Sequence, residues 1–348
     1  MLTLDNVPNL ATYEAWNKCE RHLLLHDNIY FGVSGGADSQ VALDLFLKAY
    51  RDRHYDYNCK IRPVFFNTGI ETQATKRHLD YLENQYDIEI ERVFAKTPVA
   101  VGCRKYGIPF LSKYVSEMIK RLQQHNFDFA NDGEKPYTEL QLKYKGCDVA
   151  LKWWCNENGK GSSFNINRQS YLKEFMIENP PEFFISPDCC KGAKKEPSEN
   201  FIKENKIDLA VLGLRKFENG IRTQNISSCF TQKDGEVDIY RPIFWFTDKD
   251  KEEYKSYYDL RYSDCYEIWG LTRTGCAGCP FGSNFEGELK LLEKYEPNLY
   301  KAVCNIFGKS YEYTRKYREF KDKYKNGYNK NQLTLFDFME NNNEKQGD

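Results

Sequence analysis

A short apolar run, Asn28-Ile29-Tyr30-Phe31-Gly32-Val33, breaks into Ser34-Gly35-Gly36-Ala37-Asp38-Ser39. A helical pattern then places Val41, Ala42, Leu45, Phe46 and Ala49 on one face. The first run is rich in β-branched and aromatic residues and ends on glycine, which predicts a buried strand. Strand, glycine turn and helix in that order begin an α/β nucleotide fold. Glycines in such a turn let backbone N–H groups converge without a Cβ in the way. The helix N-terminus adds partial positive charge at the same point. Ser34 and Ser39 can offer hydroxyls to phosphate oxygens, and Asp38 can cap the helix or approach a magnesium ion. A plain βα turn with a capping serine satisfies the same six residues, so the rest of the chain has to decide.

Further strands are predicted at 61–67, 88–94, 208–213 and 240–244, and helices at 8–26, 38–50, 72–85, 112–124, 248–260, 286–295 and 298–324. This alternation predicts an α/β fold: a parallel sheet of approximately five strands with helices on both faces, plus a C-terminal helical region bearing cysteines. The expected organisation is a nucleotide-binding α/β domain over 1–262 with an insertion around 105–175. A cysteine knuckle with C-terminal helices follows over 263–325. The stretch 326–348, rich in Asn, Lys and Glu, reads as a disordered tail.

The formal net charge of −1 excludes a global basic field that would drive nucleic-acid binding. Local basic stretches remain at 191–195 and 321–330. No window approaches the ~18 uninterrupted apolar residues of a membrane span, and residues 1–10 lack the pattern of a signal peptide. The expectation is a cytoplasmic protein without a membrane partner. The sequence holds 12 cysteines, and the tight spacings Cys189-Cys190 and Cys276-x-x-Cys279 point to metal or redox chemistry rather than to disulfides.

Ser-Gly-Gly-x-Asp-Ser resembles the signature turn of the PP-loop ATP pyrophosphatases, with Ala37 where that family often carries lysine. The likeness continues along the chain. Phe65-Phe66-Asn67-Thr68-Gly69 with Glu71-Thr72 resembles the family's second-strand motif. Asp188-Cys189-Cys190-Lys191, followed by Lys194-Lys195-Glu196-Pro197, resembles the double-cysteine segment of adenylyl-sulfate reductases. Gly213-Leu214-Arg215-Lys216 with Glu218 and Arg222 resembles the Gly-x-Arg segment of the same family. These segments are similar to the phosphoadenosine phosphosulfate (PAPS) reductase branch of the PP-loop family, with its adenine nucleotide alpha-hydrolase-like (HUP) fold.

The resemblance implies that Ser34, Gly35, Gly36, Asp38, Ser39, Asn67, Thr68, Gly69, Arg215 and Arg222 bind an adenine nucleotide, either ATP or adenylyl sulfate, with Mg2+ as a possible companion. Asp38, Ser39, Lys191 and Arg215 are the expected catalytic residues. Arg215 and Arg222 follow a predicted strand at its C-terminal end, where ligands bind in open α/β sheets, and arginine suits two-pronged phosphate recognition. Lys191, Lys194, Arg215 or Arg222 would have to replace the charge missing at Ala37.

The resemblance also implies that Cys189, Cys190, Cys276 and Cys279 hold a 4Fe–4S cluster. An adjacent cysteine pair is awkward for tetrahedral zinc, which stays the alternative. A Cys276–Cys279 redox pair or an unrelated zinc knuckle is also open. Sulfonucleotide reductases attack with a thiolate on a mobile C-terminal segment. The last cysteine here is Cys304, inside a predicted helix, which leaves only Cys229 or Cys265 to substitute.

The expected enzyme activates a substrate with ATP, releases pyrophosphate and transfers sulfur onto nucleic acid, as do DNA phosphorothioation enzymes and tRNA thiolases. It would draw on a sulfur-donor or reductant protein. The alternatives are a phosphoadenylyl- or adenylyl-sulfate reductase, and an inactive nucleotide- or cluster-binding adaptor in a DNA-modification or defence complex. Gln332-Leu333-Thr334-Leu335-Phe336 resembles peptides that bind the bacterial sliding clamp, which would make DNA the substrate; docking back on its own domain is the other reading.

Overall fold

The structure is a computed structural model that describes residues 3–52, 57–218, 226–232 and 234–325. Arg222 and the peptide Gln332–Phe336 lie outside these residues. The chain divides into two compact units. Unit 1 comprises Met1–Gly102, Cys190–Gly278 and Glu286–Val303. Unit 2 takes Cys103–Cys189, Cys279–Phe285 and the described part of Cys304–Asp348.

Unit 1 carries the sheet. Its strands are β1 (Asn28–Gly32), β2 (Lys60–Asn67), β3 (Glu91–Phe94), β4 (Leu209–Leu212), β5 (Phe230–Thr231) and β6 (Asp238–Tyr240), in the spatial order β3-β2-β1-β4-β6-β5. Every pairing is parallel except the edge pair β5–β6. The expected parallel five-stranded sheet is therefore present, with one short antiparallel strand added. The last predicted strand shifts: residues 238–240 pair, and the chain leaves the sheet at Arg241-Pro242, because proline has no N–H to give to a ladder.

Alternation along β1 sends side chains to two apolar layers. Ile29 and Phe31 face a core with α1 (Leu10–Leu25), α2 (Ala37–Asp52) and α3 (Gln73–Tyr86), through residues such as Leu23, Val41, Phe46 and Leu79. Tyr30 faces the other way, with Val64, Ala210 and Phe201 of helix Glu196–Glu204. Helices thus cover both faces, as a parallel sheet requires. β1 lies between β2 and β4, so the connections leave it in opposite directions, and the C-terminal end of β1 is the switch point of the sheet.

Unit 2 is largely helical. Lys113–Gln124, Asp148–Trp154 and Leu172–Glu178 surround a core of Phe110, Ile119, Trp153, Trp154 and Phe175. The segment that reads as a polar insertion thus has a core of its own. Val115, Met118, Ile119 and Leu122 follow a helical spacing, but the aromatics that close the core with them, such as Trp153, Trp154 and Phe175, come from segments that a local periodicity count does not connect to it. Among the described residues no helix is long and apolar enough to cross a membrane.

Candidate functional site

The glycine turn follows β1 directly and opens α2 at Ala37. Gly35 sits at φ +70°, where an L side chain is strained. The Ser39 hydroxyl accepts from the Ser34 N–H at 3.0 Å and donates to the Gly32 carbonyl at 3.3 Å. The Ser34 hydroxyl oxygen accepts from the Gly36 N–H at 3.3 Å. Ser39 therefore shapes the turn from inside and has already spent its proton, whereas Ser34 keeps a hydroxyl proton to donate.

Behind the turn, Gln40 ties the start of α2 to its neighbours. Its Oε1 lies 2.8 Å from His78 Nε2 on α3, and its Nε2 donates to the Arg261 carbonyl at 2.9 Å. Burial lowers the His78 pKa to about 4, so the ring is neutral at pH 7 and donates from Nε2 to Gln40. Gly213, just past β4, abuts the same first turn of α2. A Cβ there would meet Ser39 Cα at 2.6 Å and the Asp38 carbonyl oxygen at 2.9 Å.

Asp38 stands among cations. Its Oδ1 lies 3.0 Å from Arg215 Nε and 3.5 Å from Lys251 Nζ. Arg215 is only 5% exposed. It also reaches Asp248 Oδ1 at 2.9 Å and the Phe246 carbonyl at 3.5 Å. Burial pulls its pKa down, but the carboxylates of Asp38 and Asp248 more than reverse this, and the net shift is upward. Arg215 is thus the residue that fixes Asp38.

The tip of β2 is organised by Glu71. Its carboxylate accepts from the Thr68 N–H at 2.8 Å, from the Thr68 hydroxyl, and from the Gly69 N–H at 3.1 Å. Asn67 Oδ1 accepts from the same Gly69 N–H at 2.9 Å. The Cys276 thiol lies 3.5 Å from the Thr68 hydroxyl. Two amides of the following knuckle are engaged with protein, Ala277 with the Ile70 carbonyl at 3.1 Å and Gly278 with Glu288 Oε1 at 2.9 Å. Burial raises the Glu288 pKa.

The segment after Trp269 returns to the glycine turn. A Cβ on Gly36 would lie 3.0 Å from Thr274 Oγ1 and 3.2 Å from the Tyr266 hydroxyl. That phenol oxygen accepts from the Thr274 N–H at 3.1 Å. A neutral oxygen therefore stands beside the turn at Gly36. Neither Tyr266 nor Thr274 carries a signal in the sequence, and the same holds for Lys251, one charge among many on helix Asp248–Tyr257.

The phosphoadenosine phosphosulfate reductase domain, as a family, matches residues 28–135 and 120–281. The chain belongs to this PAPS reductase domain family. Members and other nucleotide enzymes appear among similar solved structures. PAPS reductase from Candida auris, in a phosphate complex, has 11% identity and a TM-score of 0.41 over 79% of this chain and 96% of that one. FMN adenylyltransferase from Candida glabrata has 10% identity and a TM-score of 0.41, with coverages of 79% and 67%. The U34-tRNA thiolase of Methanococcus maripaludis, with its 4Fe-4S cluster, has 16% identity and a TM-score of 0.35, with coverages of 88% and 79%. No curated protein matches the sequence.

In this PAPS reductase-family chain the remaining expected site residues are placed as follows. Lys191 opens a π-helical turn, Lys191–Lys195, that packs on β2. Its side chain is exposed, 4.0 Å from Glu196. Cys190 and Cys276 belong to unit 1, and Cys189 and Cys279 to unit 2. Among the described residues no three His, Cys, Asp or Glu side chains are grouped to hold a metal ion. Four thiols suit a cluster chemically. Cys265, a candidate nucleophile by sequence, is sealed in the core. Burial raises its pKa, and its sulfur lies 3.4 Å from the Thr72 hydroxyl.

Proposed function

We propose that this chain binds ATP at the Ser34–Ser39 turn, releases pyrophosphate by adenylyl transfer, and couples that step to sulfur transfer onto nucleic acid. The observation that carries the reading is the position of the turn. It lies at the switch point of a parallel sheet, at the N-terminus of a long helix, with two cations on Asp38 beside it.

In the reaction an acceptor oxygen attacks the α-phosphorus, the bond from that phosphorus to the bridging oxygen breaks, and pyrophosphate leaves. The chain's share is positioning and charge neutralisation. Amides at the start of α2 and the Ser34 hydroxyl hold the departing phosphates. Arg215 keeps Asp38 in place, where it is available to a magnesium ion carried by the nucleotide. The tip of β2, held by Glu71, is the proposed floor for the adenosine. With Cys265 sealed, Cys229 is the one of the two substitute thiols left for attack on a sulfonucleotide.

The cysteine pairs are proposed on sequence alone as ligands of a 4Fe–4S cluster, with zinc as the other candidate. Iron, sulfide and zinc analysis of an anaerobic preparation decides between them. The activity is tested by following pyrophosphate from ATP with DNA or tRNA present. Release that is abolished by Gly35→Asp supports the reading. Sulfite release from adenylyl sulfate, or tight nucleotide binding without turnover, overturns it.

A further inference from the structure

We propose that Lys251, on helix Asp248–Tyr257, supplies the phosphate-binding cation that the turn lacks at position 37. This rests on the nucleotide reading of the turn.

Position 37 has no room for a charge in this chain. Ala37 is 4% exposed and belongs to the main apolar core, with the Tyr266 ring packed on that core. The charge therefore has to arrive from elsewhere. Of the four residues that the sequence offers, Lys191 and Lys194 are exposed, Lys191 lying 4.0 Å from Glu196, Arg215 is held by Asp38, Asp248 and the Phe246 carbonyl, and Arg222 lies outside the described residues.

Lys251 differs on each count. Its side chain is 15% exposed, and among the described residues its ion-pair partner is Asp38, at 3.5 Å. An ammonium has three donors, so one loose contact leaves the others able to turn to a ligand. The neighbouring Asp250 does not compete, because its carboxylate closes the capping box with the Thr247 N–H and hydroxyl at 2.8 and 2.7 Å.

Electrostatics gives the arrangement its direction. Arg215 Nε and Lys251 Nζ converge on the same carboxylate oxygen, so two like charges are held close together by one anion. The second aspartate on Arg215, Asp248, is 81% exposed and screened by solvent. A further anion entering beside Asp38 relieves this repulsion, and a nucleotide polyphosphate brings such an anion to the start of α2. A magnesium ion on Asp38 would displace Lys251 from the carboxylate and free it for the phosphates.

The test measures equilibrium binding of ATP, inorganic pyrophosphate and adenosine to the full chain. Lys251→Met and Lys251→Arg are compared in the natural protein and in an Asp38→Asn background. The Asp38→Asn background separates phosphate binding from mere neutralisation of Asp38. Lys251→Met is expected to weaken ATP and pyrophosphate at least tenfold in both backgrounds while leaving adenosine unchanged. Lys251→Arg should retain most of the affinity, and thermal melting should confirm that each variant folds. A loss that vanishes in Asp38→Asn, or one that is equal for adenosine, overturns the assignment. Natural protein that binds pyrophosphate but not ATP sinks the nucleotide reading and leaves the cation assignment to be judged on pyrophosphate. Natural protein that binds neither sinks both.

Discussion

A Cβ at Gly213 would lie 2.6 Å from the Cα of Ser39, closer than real Cβ atoms approach any backbone. The end of β4, a neighbour of the glycine turn in space though not in sequence, is therefore seated directly against the start of α2. Gly213→Ala must push either β4 or the first turn of α2. Overpacking of this kind costs about 1–3 kcal/mol, so a melting temperature lower by several degrees is expected. ATP affinity should fall in the same variant. Melting and affinity equal to those of the natural protein would show that the contact is slack.

The Tyr266 hydroxyl accepts from the Thr274 N–H at 3.1 Å and would lie 3.2 Å from a Cβ on Gly36. Tyr266→Phe removes this oxygen from beside the turn and leaves its place to an anion. Pyrophosphate affinity measured by calorimetry is expected to rise several-fold, while stability drops by about 0.5–1.5 kcal/mol for the lost hydrogen bond. A weaker pyrophosphate interaction would mean that the phenol helps to hold the anion instead of standing in for it.

Acid should destabilise unit 1 above the carboxylate range. Burial lowers the pKa values of both His22 and His78 from 6.5 to about 4. The unfolded chain therefore takes up these protons first. The stability of the neutral rings is fully present above about pH 6.5 and is lost as pH falls toward 4. At pH 5 each histidine contributes a loss of roughly 2 kcal/mol. Urea unfolding at pH 7 and pH 5 measures the total. His78→Gln keeps a donor toward Gln40 and should shrink the pH 7-to-5 difference; an unchanged difference would contradict the assignment.

Protein groups shape the glycine turn: Gly32, Ser34 and Ser39 within it, Thr75, Gly213 and Thr274 against it, and Gln40 with His78 behind it. Removing bound metal with a chelator is therefore expected to leave pyrophosphate affinity, measured without magnesium, within twofold of the untreated protein. A larger fall would place a metal among the supports of the turn.

Much of the fold was legible because its signals are local. The apolar run 28–33, the glycine turn and the one-faced helix after it predict β1 and α2 nearly to the residue, and Val211 and Leu212 mark β4 equally well. The glycine turn itself was legible for the same reason. The environment of that turn was not. Lys251, Tyr266 and Thr274 reach it across more than two hundred residues of sequence, and each sits among similar side chains with nothing local to distinguish it. Arg215 stands out in the sequence only as an arginine just past a strand, and spacing could not reveal that its guanidinium is buried and paired with Asp38 and Asp248. In 103–189 one helix shows in the spacing of Val115, Met118, Ile119 and Leu122, but Trp153, Trp154 and Phe175 join its core from distant segments, so local periodicity gave no warning of a second unit.

Equilibrium binding of ATP to the full chain, with inorganic pyrophosphate as competitor, bears most directly on the anion cradle between Val33 and Gln40. Saturable binding of one ATP per chain, displaced by pyrophosphate and abolished by Gly35→Asp in a variant that still melts cooperatively, is the expected result. ATP binding that pyrophosphate cannot displace and Gly35→Asp does not weaken would contradict it.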